Sequence, residues 1–295
     1  MVERVTRTGK ADGGRGAPRS KQIVRLLGQE AGKLQYLSPG SRPTDMTFGR
    51  FFNSTFVSNS RRFVYVKNDK AGSSFIIRSL TRSEKRVRRI RHRTPFLNRQ
   101  ANPLLTPAEL TPRQWERALS HYFVFTFSRN PFSRTLSCYL DRIVGRDESY
   151  FVLQKRIGFA DGAQPSFTEF LEMLGEEDVL DLDTHWKPQY RNIAYDYFNY
   201  GFVGHFENFG VEFPALLSWL YGRKAKLGEV RQGTSATKQL ADYYDDRTVA
   251  LVRDLYGRDF ELFGYDETAP LKVEPVRGND MDFVSERRRR LGRAA

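Results

Sequence analysis

Residues 62–75 read RFVYVKNDKAGSSF, and the prediction of the fold starts from this stretch. Its first six residues form a short run rich in β-branched and aromatic side chains, which is typical of a buried strand. A polar loop containing Gly72 follows. The apolar spacing from Phe75 to Leu80 then predicts a helix over 73–82. A strand, a loop and a helix are therefore expected in succession.

The same succession recurs downstream, where residues 121–137 read HYFVFTFSRNPFSRTLS. A second apolar strand runs into Arg129, and Pro131 suits the first turn of the helix that follows. A third short strand is predicted at 201–204. Further helices are predicted at 112–119, 166–174, 213–222, 236–244 and 246–256. This alternation indicates an α/β domain built around a parallel sheet.

Positive charge is concentrated in three places. The chain of 295 residues has 48 basic and 35 acidic side chains, which gives a net charge of +13. Residues 1–50 and 271–295 are both basic, and so is the run 82–93. We predict a flexible basic arm over 1–47, a folded domain over 48–270 and a basic tail over 271–295.

Several classes of protein are excluded by composition. Cys138 is the only cysteine, so an internal disulfide is impossible, and the four histidines form no HxxxH pair that would indicate a metal site. No apolar run approaches about 20 residues, and the N-terminus lacks the apolar core of a secretory signal. We therefore expect no membrane span and a cytoplasmic location, with the basic arms as a route to a membrane surface.

The first strand-to-helix junction has the composition of an anion cradle. Gly72 allows backbone N–H groups to approach an anion, the helix start at Ser73 adds unpaired donors, and Lys70 adds a point charge. The Walker sequence GxxxxGK[ST] and the dinucleotide sequence GxGxxG are both absent. Taken alone, the junction fits either a cradle or an ordinary polar turn.

The second junction places Arg129 at a strand end, where ligands of α/β sheets bind. Ser137 follows eight residues later, about two helical turns along, so its hydroxyl could meet the same phosphate. Arg134 is either a second anion ligand or part of a structural ion pair.

The two junctions together resemble the sulfotransferases of family 2, the branch that includes carbohydrate sulfotransferases. The stretch KAGSS at 70–74 resembles their 5′-phosphosulfate loop, and RNPFSRTLS at 129–137 looks like their 3′-phosphate element. The stretches HWKPQ at 185–189 and FVGHFEN at 202–208 support the same branch, as does the segment 242–265. The resemblance implies a P-loop-like three-layer α/β domain with a central parallel sheet flanked by helices.

By this resemblance, the protein moves a sulfuryl group from 3′-phosphoadenosine 5′-phosphosulfate (PAPS) to an acceptor hydroxyl, with a carbohydrate or glycan as the expected acceptor and no metal. The implied donor-binding residues are Lys70, Ala71, Gly72, Ser73, Ser74, Phe75, Arg129 and Ser137. Lys70 would also act in catalysis, by offsetting charge on the leaving group. Two departures from the family pattern are Asp69, in place of a proline, and His205, where arginine is frequent.

A base must take the acceptor proton. The candidates are His185, His92 and Glu84, of which His185 lies in a polar loop beside Trp186, a candidate for lining the acceptor pocket. The loop 231–238 resembles the segment that closes over the donor's adenosine end, with Arg231 and Lys238 as possible phosphate contacts. The basic run 82–93 either draws an anionic acceptor or is a solvated helix face.

Three other readings stay open at this point. The chain could be a basic nucleic-acid-binding protein on a nucleotide-binding-like fold, using its arms and the run 82–93, although nucleic acid is the less expected partner. It could be a kinase that uses ATP and Mg²⁺, against which the missing Walker sequence counts. It could also be a sulfotransferase that binds the donor product without turnover.

Overall fold

A computed structural model of the chain describes residues 42–87, 102–160, 162–176, 179–228 and 236–275. Within them, four strands form one sheet in the order β1 (Thr55–Ser58), β2 (Phe63–Val66), β3 (Phe123–Ser128) and β4 (Tyr200–His205). Strands β2, β3 and β4 are parallel, and β1 pairs with β2 in the antiparallel sense. The sheet is therefore parallel except at one edge.

Eleven α-helices lie within the described residues. They are α1 (Phe48–Ser54), α2 (Ser73–Val87), α3 (Pro112–His121), α4 (Pro131–Cys138), α5 (Glu148–Ile157), α6 (Phe167–Leu174), α7 (Val179–Leu182), α8 (Gln189–Asn192), α9 (Phe209–Tyr221), α10 (Leu240–Tyr243) and α11 (Asp246–Phe263). A π-helical turn, Tyr139–Val144, continues directly from α4.

The three layers follow from the alternation of side chains along the strands. Val64 and Val124 lie in a core with residues of α3, α4, α6 and α11. Their neighbours Phe63, Tyr65 and Phe125 lie in a second core, with residues of α2 and α9. Each sheet face is thus covered by helices, which confirms the predicted three-layer α/β domain.

The predicted strands are confirmed, but the structure adds β1 and its antiparallel pairing. The four residues of β1 are all buried, so they show no alternation of polar and apolar positions that a sequence reading could use. The helix predicted to begin at Pro131 is confirmed, but its α-helical part is short. It is α-helical only to Cys138 and then widens into the π-helical turn.

The predicted domain limits, 48–270 with basic segments on either side, stay predictions. Most of the arm 1–47 and of the tail 271–295 lies outside the described residues. The same holds for His92 and Arg231. In the portion of the chain that is described, no helix is both long enough and apolar enough to cross a bilayer.

Candidate donor and transfer site

The two predicted anion loops lie side by side because they leave adjacent parallel strands at the same edge of the sheet. The first loop joins β2 to α2, and the second joins β3 to α4. They touch directly, since one Nη of Arg129 donates to the backbone carbonyl of Lys70 at 3.2 Å. The structure therefore brings together Lys70 and Arg129, which are 59 residues apart in the sequence.

The backbone of the first loop is left-handed at two positions, Lys70 at φ 67° and Gly72 at φ 76°. A Cβ atom on residue 72 would lie 3.1 Å from the Phe206 ring, so glycine is favoured there by the close contact as well as by the left-handed backbone. Helix α2 begins at Ser73. Its first turn, with Ser73 and the exposed Ser74, presents N–H groups and hydroxyls at the loop, as the cradle requires.

The side chains of Ala71 and Phe75 pack against the protein interior and support the shape of the loop. Ala71 is fully buried in the core. The Phe75 ring packs edge-on against Phe209 and Phe213, while its backbone N–H donates to the carbonyl of Gly72. Both residues hold the loop in shape.

Arg129 is a buried cation. Its Nε donates to the Ser133 hydroxyl at 3.0 Å, and its guanidinium lies 4.8 Å from the centroid of the Phe206 ring. Among the described residues, no carboxylate lies within 4 Å of that guanidinium. Burial lowers the pKa of Arg129 to about 10, although Glu207 opposes the shift. A desolvated cation in this setting is stabilised when an anion binds.

Asn130 supplies a second group suited to an anion. Its side-chain oxygen accepts from the backbone N–H groups of Phe132 and Ser133 and so caps helix α4. Its Nδ2 is buried without a hydrogen-bond partner in the described part of the chain. The backbone N–H of Asn130 donates a hydrogen bond to the Glu207 carboxylate.

The spacing from Arg129 predicts that Ser137 shares a phosphate with it, and the structure adds Ser133, whose hydroxyl accepts from Arg129 Nε. Ser137 is buried in the last turn of α4, one turn beyond Ser133. Lys238 is exposed on a 3-10 turn, Ala236–Gln239, that follows the undescribed part of the loop 231–238. Donor contacts of Ser137 and Lys238 stay predictions.

The carboxylate of Asp69, the acid that stands in place of the family's proline, is neutralised by two cations. Its carboxylate lies 2.7 Å from Arg50 and 2.6 Å from Lys67 and is itself buried. Burial acts to raise the pKa of Asp69, but these two cations outweigh it and hold the pKa well below its usual range. The local charge around this acid is therefore positive.

Arg134 has the structural role through backbone carbonyls, and no ion pair links it to a carboxylate of the described residues. The side chain is almost fully buried and donates to the carbonyls of Asp69, Thr184 and Lys187. It thus joins the first loop to the segment that contains His185.

Gln189, in α8, is fully buried and hydrogen-bonds to both anion loops. Its Oε1 accepts from the Asn68 side chain and from the backbone N–H of Arg129, both at 2.9 Å. Its Nε2 donates to the Arg129 carbonyl at 2.8 Å, and its own backbone N–H donates to Asp259. Sequence reasoning missed this role, although HWKPQ was recognised as a motif.

A chain of charged side chains connects Lys70 to His185. Lys70 Nζ lies 2.8 Å from Asp141, whose carboxylate is 3.1 Å from Arg142 Nε. Arg142 Nη2 donates to Nε2 of His185 at 2.7 Å, and Nδ1 of His185 is 2.5 Å from Asp183. Burial lowers the pKa of Lys70 in spite of Asp141. The structure therefore places His185 on the Lys70 side of the site.

Two other candidates prove to be structural. Glu84 is buried and accepts from the hydroxyls of Ser58, Ser60 and Tyr221. It lies eleven residues along α2 from Ser73, or about 16 Å, so it is too far away to be the base. Trp186 is fully buried and donates to the Val179 carbonyl, so it does not line an acceptor pocket.

His205 and Cys138 are buried packing residues. His205 lies between Glu212 and the Phe263 carbonyl; burial disfavours its charged form, but these acceptors outweigh burial and raise its pKa. Burial raises the pKa of the Cys138 thiol to about 12, which makes it unreactive. No group of three or more His, Cys, Asp or Glu side chains in the described ranges is arranged to hold a metal ion.

Comparison with known proteins identifies the class. The sequence profile of the Sulfotransferase family matches residues 53–266, which is most of the chain. The chain therefore belongs to the Sulfotransferase family. The comparisons give no support to the nucleic-acid reading. No solved structure matches the chain.

The curated relatives are carbohydrate sulfotransferases. Carbohydrate sulfotransferase 14 of Mus musculus and that of Homo sapiens are each 30% identical over 177 residues, covering 54% of this chain and 46% of the relative. Carbohydrate sulfotransferase 12 of Xenopus laevis is 26% identical over 176 residues, covering 50% of this chain and 41% of the relative. The chain spans less than half the length of these relatives.

Proposed function

We propose that this protein transfers a sulfuryl group from PAPS to a hydroxyl of a carbohydrate acceptor. The observation that carries the proposal is Arg129, a buried cation with no carboxylate of the described residues in ion-pair range, beside the left-handed loop of Lys70. Family membership supports the donor, and the names of the relatives support the acceptor class.

The residues present fit a nucleotide that carries phosphate at both ends. Arg129 and the unpaired Nδ2 of Asn130 suit the 3′-phosphate, which ATP lacks. The α2 N-terminus with Ser73 and Ser74 suits the 5′-phosphosulfate. The two subsites lie on neighbouring loops, so one extended anion can span them.

In the proposed reaction, the acceptor oxygen attacks sulfur, a new S–O bond forms, and the bond from sulfur to the bridging oxygen breaks. The bridging oxygen keeps the electron pair and leaves with 3′-phosphoadenosine 5′-phosphate. Lys70 offsets the charge that develops on that oxygen. His185 takes the acceptor proton on Nε2, while Asp183 holds its Nδ1–H.

The test is calorimetric titration with 3′-phosphoadenosine 5′-phosphate, with ATP as the competing ligand. We expect micromolar binding, on the order of −8 kcal/mol, that needs no Mg²⁺. Arg129→Ala should weaken it by roughly 100-fold, while Arg253→Ala, at an exposed ion pair with Glu267, should leave it unchanged. Equal binding of ATP, or equal binding by the Arg129 variant, would refute the donor site.

The acceptor needs its own assay. Labelled sulfuryl transfer from PAPS to a panel of carbohydrates and non-carbohydrate alcohols should label carbohydrates only. Labelling of the alcohols alone would overturn the acceptor class but keep the donor site. The cytoplasmic location also stays a proposal, and fractionation of cells that express the full chain tests it.

A further inference from the structure

The π-helical turn Tyr139–Val144 places two consecutive charged residues between the groups proposed to act in transfer. Asp141 lies 2.8 Å from Lys70 Nζ, and Arg142 Nη2 lies 2.7 Å from His185 Nε2. Arg142 also pairs with Asp147. π-helical turns occur frequently at functional sites. Here the turn engages both candidate groups at once.

The two hydrogen bonds of the His185 ring show which nitrogen carries the proton and which nitrogen Arg142 covers. Asp183 is an acceptor, so it fixes the proton on Nδ1 and leaves the lone pair on Nε2. The Arg142 guanidinium has only donors, so it donates to that lone pair. A lone pair that accepts this bond is not available to an acceptor hydroxyl. Arg142 therefore covers the nitrogen that must take the proton.

Lys70 is engaged in a similar way. Its Nζ is paired with the Asp141 carboxylate, which has the same sign of charge as a sulfuryl group. An anion that approaches Lys70 competes with Asp141 and attracts Arg142. The Asp141 and Arg142 side chains are 43% and 25% exposed, so both can move into solvent without disturbing the core.

We propose that Asp141 and Arg142 form an exchangeable latch, in which Asp141 covers Lys70 and Arg142 covers His185. The negative charge of the donor opens the latch by drawing Lys70 away from Asp141 and Arg142 away from His185. This inference rests on the proposed function, because the anion that opens the latch is the donor. It assigns positioning roles to two residues for which the sequence motifs gave no role.

The covering of His185 is tested by its reaction with diethyl pyrocarbonate, measured at the His185 peptide by mass spectrometry. Without donor, Arg142→Gln should react about 10-fold faster than the wild type, because a hydrogen bond from a charged group to Nε2 is lost. Arg146→Gln is the matched control, since Arg146 follows in the same segment and donates to the Gly162 carbonyl. It should react at the wild-type rate. Equal rates for wild type and Arg142→Gln would overturn the latch.

The exchange is tested by adding PAPS without an acceptor. The ratio of the Arg142→Gln rate to the wild-type rate should fall from about 10 towards 1, because the donor opens the latch in the wild type. The donor shields His185 equally in both proteins, so the ratio removes that effect. A ratio that stays near 10 would overturn the exchange.

The two proposals fail in distinguishable ways. Calorimetry that shows no binding of 3′-phosphoadenosine 5′-phosphate overturns the proposed function and, with it, the exchange step. The reaction rates measured without donor judge the covering of His185 independently of that result.

Discussion

Gln189 is the side chain through which the two anion loops are held together, and replacing it by methionine tests that role. Methionine is similar in length and fills the same buried space. It removes the three side-chain hydrogen bonds to Asn68 and to the backbone N–H and carbonyl of Arg129. The packing is kept and the hydrogen bonds are lost.

The expected cost follows from which partners are left unpaired. The Asn68 amide keeps a bond to the Phe127 carbonyl at 3.0 Å, so it loses one of two acceptors. The N–H and carbonyl of Arg129 both lose their bond to the Gln189 side chain. Each buried backbone group that is left unsatisfied costs about 1–3 kcal/mol. With two such groups, we expect the free energy of unfolding to fall by about 2–6 kcal/mol, and the midpoint of thermal unfolding to fall by roughly 4–24 °C.

The same substitution should also weaken binding of the donor product, because the two proposed subsites lie on the loops that Gln189 connects. With Lys70 and Arg129 both intact, calorimetric binding of 3′-phosphoadenosine 5′-phosphate should weaken by about 10-fold, because the loops are no longer held in register. The control is Gln114→Met, at an exposed helix cap whose loss costs about 1 kcal/mol or less and does not touch the site. Urea unfolding and calorimetry on the same preparations supply both numbers. If Gln189→Met loses less than 1 kcal/mol and binds like the wild type, the coupling argument is wrong.

Three further predictions concern the framework of the site. The pKa of Asp69 is depressed in the folded state, so its contribution to stability is complete above the unfolded value of about 4 and is lost as the pH falls below it; Asp69→Asn should cost about 3 kcal/mol at pH 7 and flatten the acid limb of the stability curve, and an unchanged limb would contradict the ion-pair assignment. Arg134→Lys should lower the unfolding free energy by about 3–5 kcal/mol in chemical denaturation, since an ammonium cannot reach three separate carbonyls, and a loss near zero would show that these bonds are dispensable. Gly72→Ala should cost about 1–3 kcal/mol through its left-handed backbone and weaken donor-product binding through the contact with Phe206, whereas Gly158→Ala, left-handed but in open space, should lower stability and leave binding unchanged; equal binding by the two would rule out the Phe206 contact.

Local sequence patterns were enough to predict the class of fold and the positions of the two candidate anion loops. The apolar runs within 62–67 and 121–127 predicted buried strands, because burial on both faces leaves a mostly continuous apolar signature. The residues after these strands, including Lys70, Gly72 and Arg129, are of types that bind anions, and ligands of α/β sheets bind at the carboxyl ends of the strands. Local pattern was sufficient because each loop is a single continuous segment.

How the two loops are joined, and which side chains lie next to Lys70, became known only from the folded structure. Gln189, Arg134 and Asp141 each act on a segment more than 50 residues away, and nothing in their own neighbourhood in the chain records the partner. Glu84 is excluded from the candidate site by its distance along α2, and Trp186 is excluded because it is fully buried. Neither property could be seen in the local sequence. Contacts between remote segments depend on how helices pack on the sheet, and local sequence patterns do not encode that packing.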